Sequence, residues 1–250
     1  MSYTYYGDPS KPILMFIHGA GVGGWMWDKQ VEYFKQSYYC IVPTYQFSEQ
    51  QLIRYWADTF LQELLKHKTE GKQVILVGFS MGAQISVEMC ASEPESFSHV
   101  MVNSGLVDPK PILQKMVVPL LPIFNILPKS RSFSMKQAKE LYIGEQYFER
   151  YYEGAKRVTN VELRLVMKEN LEFDLPEGLE RFTGEMLITI GEKEEKLLKR
   201  SVEKLKRAVP DARIEVIPNV KHGFSLAEPA SFNEMLEEWI QANSIDEQTN

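Results

Sequence analysis

Cysteine is nearly absent: two occur in 250 residues, Cys40 in a strand-like run and Cys90 in a helix-like one. Two separated thiols cannot form the disulfide framework of a small secreted scaffold and read instead as reduced core residues. Basic charge is not in surplus, with 28 Lys and Arg against 34 Asp and Glu, a net charge of -6. The cations are scattered rather than gathered into a stripe, which excludes nucleic acid as the expected partner. Long apolar runs are missing as well. The longest, "MVVPLLPIFNIL" at 116–127, is too short to span a bilayer and carries two prolines and an asparagine. No integral membrane segment is expected, and "MSYTYYGDPS" lacks the basic and apolar regions of a secretory signal, so the expected location is cytoplasmic.

With 44% hydrophobic and 25% charged residues, the composition is that of an ordinary globular protein, apart from the polar tail "NSIDEQTN". Short β-rich runs recur at 13–19, 38–43, 74–78, 100–103, 186–191 and 213–219. Continuous apolar runs of this kind suit parallel strands buried on both faces. Between them lie helix-length segments, such as 52–67, where Ile53, Trp56, Phe60, Leu61 and Leu64 form an amphipathic stripe. Alternation of strands and helices predicts an α/β protein with a doubly wound, mostly parallel sheet.

One interval breaks the rhythm. Residues 104–185 far exceed the roughly 2 to 6 residues of an ordinary αβ connection. The segment is Pro-rich at first (Pro109, Pro111, Pro119, Pro122, Pro128) and helix-like later. The expected organisation is a core of 1–105 and 183–250 with a helical cap at 106–182, seated on the carboxyl edge where open α/β sheets bind ligands. Met116, Val117, Leu120, Leu121, Ile123 and Phe124 are expected to offer an apolar wall there.

At 74–82, "VILVGFSMG" runs from a strand into a helix through Gly-x-Ser-x-Gly. Such a turn holds its central residue in a strained conformation, and the glycines remove side chains that would clash. Ser80 thereby reaches solvent at a helix N-terminus, where free N–H groups stabilise negative charge. The Gly-rich "HGAGVGGWMW" at 18–27 follows the first strong strand, and the N–H of Ala20 together with that of Met81 forms the expected oxyanion hole. Trp25 and Trp27 read as core or loop anchors.

Of four histidines, His67 lies on a charged helix face, His99 precedes a strand and His18 shapes the Gly-rich loop. His222, after the last strand, is the expected general base. The acid should leave a neighbouring strand; Glu192, Glu194 and Glu195 do so, and Asp108 competes from the strand ending at Asn103. Chain order Ser80, Glu194, His222 is nucleophile, acid, base.

These motifs together resemble the α/β-hydrolase superfamily: "HGAG", "GFSMG", the Gly-Glu-Lys-acid turn at 191–194 and "KHGFSLAEP" span nearly the whole chain. The resemblance implies a serine hydrolase, most simply a carboxylesterase, in which Glu194 fills the acid slot. Three features depart from the family pattern: Glu replaces the usual Asp, "VPTYQFSEQ" replaces the loop signature after the second strand, and the N-terminal antiparallel strands must be abbreviated. The expected chemistry is cleavage of a small-molecule ester or related acyl compound through an acyl-serine, with no metal or organic cofactor. The alternatives are a lyase of the hydroxynitrile lyase type on the same triad, or a slow or non-catalytic ligand receptor. Chain length of the acyl group and oligomeric state are not encoded in these patterns.

Overall fold

The computed structural model describes residues 1–46, 48, 51–121 and 129–244. Seven strands form one sheet: β1 (Ser2–Tyr6), β2 (Ile13–Ile17), β3 (Tyr39–Thr44), β4 (Val74–Phe79), β5 (His99–Asn103), β6 (Glu185–Gly191) and β7 (Arg213–Ile217), in the order β1-β3-β2-β4-β5-β6-β7. Only β1 runs antiparallel, against β3. It is absent from the sequence-based strand list because "SYTYY" lacks an apolar run and lies at the sheet edge, where only Tyr3 and Tyr6 are half-buried.

The apolar runs become strands because alternate side chains feed two cores. Ile13, Met15 and Ile17 of β2 join Leu76 of β4 and Val100 of β5 on one face. That face is covered by α2 (Ile53–His67), α3 (Met81–Ser92) and α8 (Lys196–Ala208). Leu14, Phe16, Ile75, Val77 and Met101 point the other way, onto α1 (Asp28–Phe34) and α9 (Pro229–Ser244) through Phe34, Phe232 and Trp239. The stripe foreseen on α2 is buried, including Trp56 and Phe60.

From β2 the chain steps outward to β3 and then returns to place β4 on the other side of β2. The order of strands therefore reverses between β2 and β4, the point at which open α/β sheets form a crevice at the carboxyl ends of their strands. The Gly-rich loop leaves β2 and the Ser80 turn leaves β4, so both emerge at that point.

Between β5 and β6 the described residues form four further α-helices: α4 (Pro111–Val117), α5 (Arg131–Glu140), α6 (Glu145–Arg157) and α7 (Asn160–Glu172). A Thr159/Glu162 capping box starts α7. The descent to β6 rejoins the core through Leu179 and Phe182. Along α4 and the short turn that follows it, apolar side chains are open to solvent, with Met116 66% and Leu120 49% exposed. Ile123 and Phe124, the far end of the expected apolar wall, lie outside the described residues, as does 245–250 of the polar tail. Among the described residues no helix is long and apolar enough to cross a membrane.

Candidate active site

Ser80 sits between β4 and α3 with φ 55° and ψ -117°, a combination that an L-residue adopts only when its surroundings impose it. They do so from both sides. The Ser80 N–H donates to the Asn103 carbonyl at 2.9 Å, and its carbonyl accepts from the N–H groups of Ala83 at 3.0 Å and Gln84 at 3.3 Å. A Cβ on Gly82 would lie 2.3 Å from the Ile17 carbonyl oxygen, and one on Gly78 2.4 Å from the Gly82 oxygen. Backbone touches backbone here, so the two glycines are there to let α3 start directly against the ends of β2 and β4. That is the physical reason for a lone Ser between glycines. Met81 is the first residue of α3, so its N–H is among those with no partner inside the helix. Ala20 stands exposed in the loop after β2.

The acid turn and the base loop are laced together. The N–H groups of Glu192 and Lys193 donate to the carbonyls of Ile217 and Val220, each at 2.9 Å. The Asn219 N–H donates to the Glu192 carboxylate at 2.9 Å. This juxtaposes Glu194 and His222: His222 Nδ1 lies 3.0 Å from Glu194 Oε2. The Glu194 side chain is only 1% exposed, while that of His222 is 29% exposed. The His222 ring lies 4.7 Å from that of Phe79, the residue immediately before Ser80.

The second oxygen of the carboxylate, Oε1, accepts from Ser104 Oγ at 2.5 Å and from the Gly191 N–H at 3.0 Å. Burial works against ionisation of Glu194, but the His222, Ser104 and Gly191 hydrogen bonds outweigh it and hold the carboxyl below its ordinary range. A buried anion facing Nδ1 fixes that nitrogen as the donor and leaves Nε2 as the basic one.

The remaining sequence candidates separate cleanly. Asp108 is ion-paired with Lys110, Glu195 is exposed just before α8, and Glu192 holds the base loop. His18 is buried, donating from Nδ1 to the Gly19 carbonyl at 2.8 Å and accepting the Tyr45 N–H at Nε2 at 3.4 Å. Burial pushes its pKa down to about 4, so it stays neutral and shapes the loop. His99 packs edge-on against Trp239 and is likewise lowered by burial to about 4. His67 pairs with Glu63 on α2. Trp27 is core, and Trp25 stacks on Tyr147 of α6 at 5.2 Å.

Ser104 is the site residue that sequence reasoning passed over. It stands 90 positions from Glu194, yet both leave the carboxyl ends of adjacent strands, and the β5/β6 register would have placed them side by side. The inserted helices also reach this edge: the Lys221 N–H donates to the phenol oxygen, Oη, of Tyr142, at the α5–α6 corner, at 3.0 Å. Val22 and Leu226 pack against the apolar cluster of Ile143, Phe148 and Tyr151. A cavity of about 270 Å³ opens elsewhere, between the β1–β3 edge, Trp25 and Arg150, and holds none of Ser80, Glu194 and His222.

The sequence profile described as the alpha/beta hydrolase family matches residues 14–235, and the chain belongs to that family. No curated protein matches the chain. Among solved structures, bromoperoxidase from Bacillus anthracis superposes with a TM-score of 0.79 at 18% identity, covering 96% of this chain and 94% of that one. The esterase EaEST from Exiguobacterium antarcticum gives 0.79 at 17% identity, covering 96% and 94%. MenH from S. aureus gives 0.74 at 15% identity, covering 97% and 98%. Three differently named proteins on one fold at such low identity establish the architecture and not the substrate.

Proposed function

We propose that the protein is a serine carboxylesterase acting on a small-molecule acyl substrate, with Ser80 as nucleophile, His222 as base and Glu194 as acid. The observation that carries this reading is the 3.0 Å contact from His222 Nδ1 to the buried Glu194 carboxylate, beside the strained Ser80 turn. Nε2 of His222 takes the Ser80 Oγ proton as Oγ attacks the acyl carbon. The resulting oxyanion accepts hydrogen bonds from the N–H groups of Ala20 and Met81, at the head of α3. The imidazolium, stabilised by Glu194, returns its proton to the departing alkoxide, which leaves as the alcohol. Water then gives a proton to Nε2 while its oxygen attacks the acyl-serine, and the proton passes to Ser80 as the acid is released.

The segment 106–182 serves in this scheme as a cap. Support comes from the contacts of its α5–α6 corner with both the Gly-rich loop and the His222 loop. The free, buried Cys40 and Cys90 suit a reducing cytoplasmic setting.

Labelling by a fluorophosphonate, paired with turnover of nitrophenyl esters, tests the reading. Wild-type protein should label and turn over; Ser80→Ala should keep its fold, lose the label and lose on the order of 10³-fold or more in kcat. An alanine variant retaining a tenth of wild-type activity would remove Ser80 from the mechanism. Release of an aldehyde without consumption of water would mark the lyase alternative instead.

A further inference from the structure

Ser104 is 3% exposed and, like Ser80, holds a left-handed backbone, with φ 55°. Its N–H is tied to the Thr189 carbonyl of β6 at 2.9 Å, so the strained conformation is fixed by the sheet edge. Its hydroxyl has one proton and two acceptors in reach, Glu194 Oε1 at 2.5 Å and Asn103 Oδ1 at 3.1 Å. The shorter bond to a charged oxygen prevails. Glu194 Oε1 is then engaged by two donors, Ser104 and the Gly191 N–H, and Oε2 alone is presented to His222.

A glutamate has one more rotatable bond than the aspartate usual at this position. Left with a single donor on Oε1, the carboxylate would pivot about that bond and the imidazole would follow it. An aspartate would withdraw the carboxylate by one carbon–carbon bond, and the Ser104 hydroxyl would turn to Asn103 Oδ1, its second acceptor.

We propose that Ser104 is a positioning residue for catalysis, which anchors Oε1 of Glu194 and makes this active site specific for glutamate over aspartate as its acid. The inference rests on the Ser80–His222–Glu194 reading above. In it, Ser104 touches no reacting atom and acts through the carboxylate.

The experiment combines kcat and KM on one nitrophenyl ester with the low-field proton resonance of His222 Nδ1–H, for Ser104→Ala, Glu194→Asp and the double variant. Losing a hydrogen bond to a charged group should lower kcat about 10- to 100-fold in Ser104→Ala. KM should stay within about twofold, since the bond is not to substrate. The Nδ1 resonance should move upfield or broaden. Glu194→Asp should lose a similar factor, and the double variant should be no worse than the poorer single one, because both break the same anchor. Ser104→Gly, suited to the left-handed backbone, carries the same test if the alanine variant does not fold.

A Ser104→Ala enzyme with kcat within about threefold of wild type and an unmoved resonance overturns the inference. So do losses in Ser104→Ala and Glu194→Asp that multiply in the double variant. If wild-type protein neither labels with a fluorophosphonate nor cleaves esters, the esterase reading fails instead. The resonance arm then still decides whether Ser104 anchors Glu194 against His222.

Discussion

The carboxyl edge of the sheet and the helices inserted between β5 and β6 are built on opposite principles. At the edge, α3 is buried along its length from Met81 to Ala91, and its first turn rests on the backbone of β2 and β4. In the insertion, α4 buries no residue, α5 only Ser134 and Ala138, and α7 only Leu171. Its polar faces are laced by exposed pairs such as Arg131 with Glu149 and Lys156 with Glu153, each worth little in stability. The edge therefore tolerates almost no change and holds the candidate site, whereas the described helices of the insertion bury few side chains and have more room to vary. Anything that acts by position to within tenths of an ångström belongs on the first kind of scaffold.

The largest effect separating the regions should come from the acid. Glu194→Gln keeps the shape but removes the charge that holds His222, a loss of up to about 10⁴-fold in kcat by the precedent of serine protease triads. Asp108→Asn, at the head of the insertion and paired with Lys110, should leave kcat within about threefold. Turnover of one ester above pH 7 by both variants checks the assignment, and a crippled Asp108→Asn beside a near-normal Glu194→Gln would reverse it.

Next comes a glycine at the edge. Gly82→Ala would drive a methyl group into the Ile17 and His18 carbonyl oxygens. We expect a loss of more than about 3 kcal/mol, or no soluble protein, by urea denaturation. A variant as stable as wild type would show that the edge is less rigid than its packing indicates.

Acid should weaken the sheet region through its buried histidines, since all four histidines lie outside 106–182. His18 and His99 are lowered from 6.5 to about 4 by burial. Between those values the unfolded chain binds protons that the folded one refuses, so stability falls as pH drops from 6.5 towards 4. The slope is at most about 1.4 kcal/mol per pH unit for each histidine. Glu194, whose pKa is depressed, contributes stability above its unfolded value that is lost as pH falls through its folded one. Urea midpoints at a series of pH values should show the decline, and His99→Phe should flatten it; an unchanged slope in that variant would assign the loss elsewhere.

The smallest effect has the opposite sign and lies in the insertion. Gly154 is inside α6, and an added Cβ there meets nothing within 4 Å. Gly154→Ala should stabilise by about 0.5–1 kcal/mol. A destabilised variant would mean that α6 is packed more like α3 than its exposure suggests.

Much of the site was legible because the chain order of its motifs is also the order of strands reaching one edge. Gly-x-Ser-x-Gly after "VILV" and His222 after the last strand are local patterns with a local cause, a helix starting hard against a strand. Glu194 was harder to choose among Glu192, Glu195 and Asp108, which share its composition and neighbourhood. Its slot in the Gly-Glu-Lys-acid turn favoured Glu194, and its burial with the Gly191 and Ser104 donors holds that carboxylate inward against His222. Of the apolar run at 116–127, the described Met116 and Leu120 are open to solvent, because hydrophobicity alone does not say whether a short apolar segment faces a pocket or water.

By itself, the sequence determined the alternation of buried strands and helices and the strained serine turn, because each depends on neighbours within a few residues. The tertiary structure alone decided that Ser104 stands behind Glu194 and that β1 pairs at one edge of the sheet. Those outcomes depend on strand order and register, which join residues as far apart as Ser104 and Glu194, and on burial, which no short window of sequence contains.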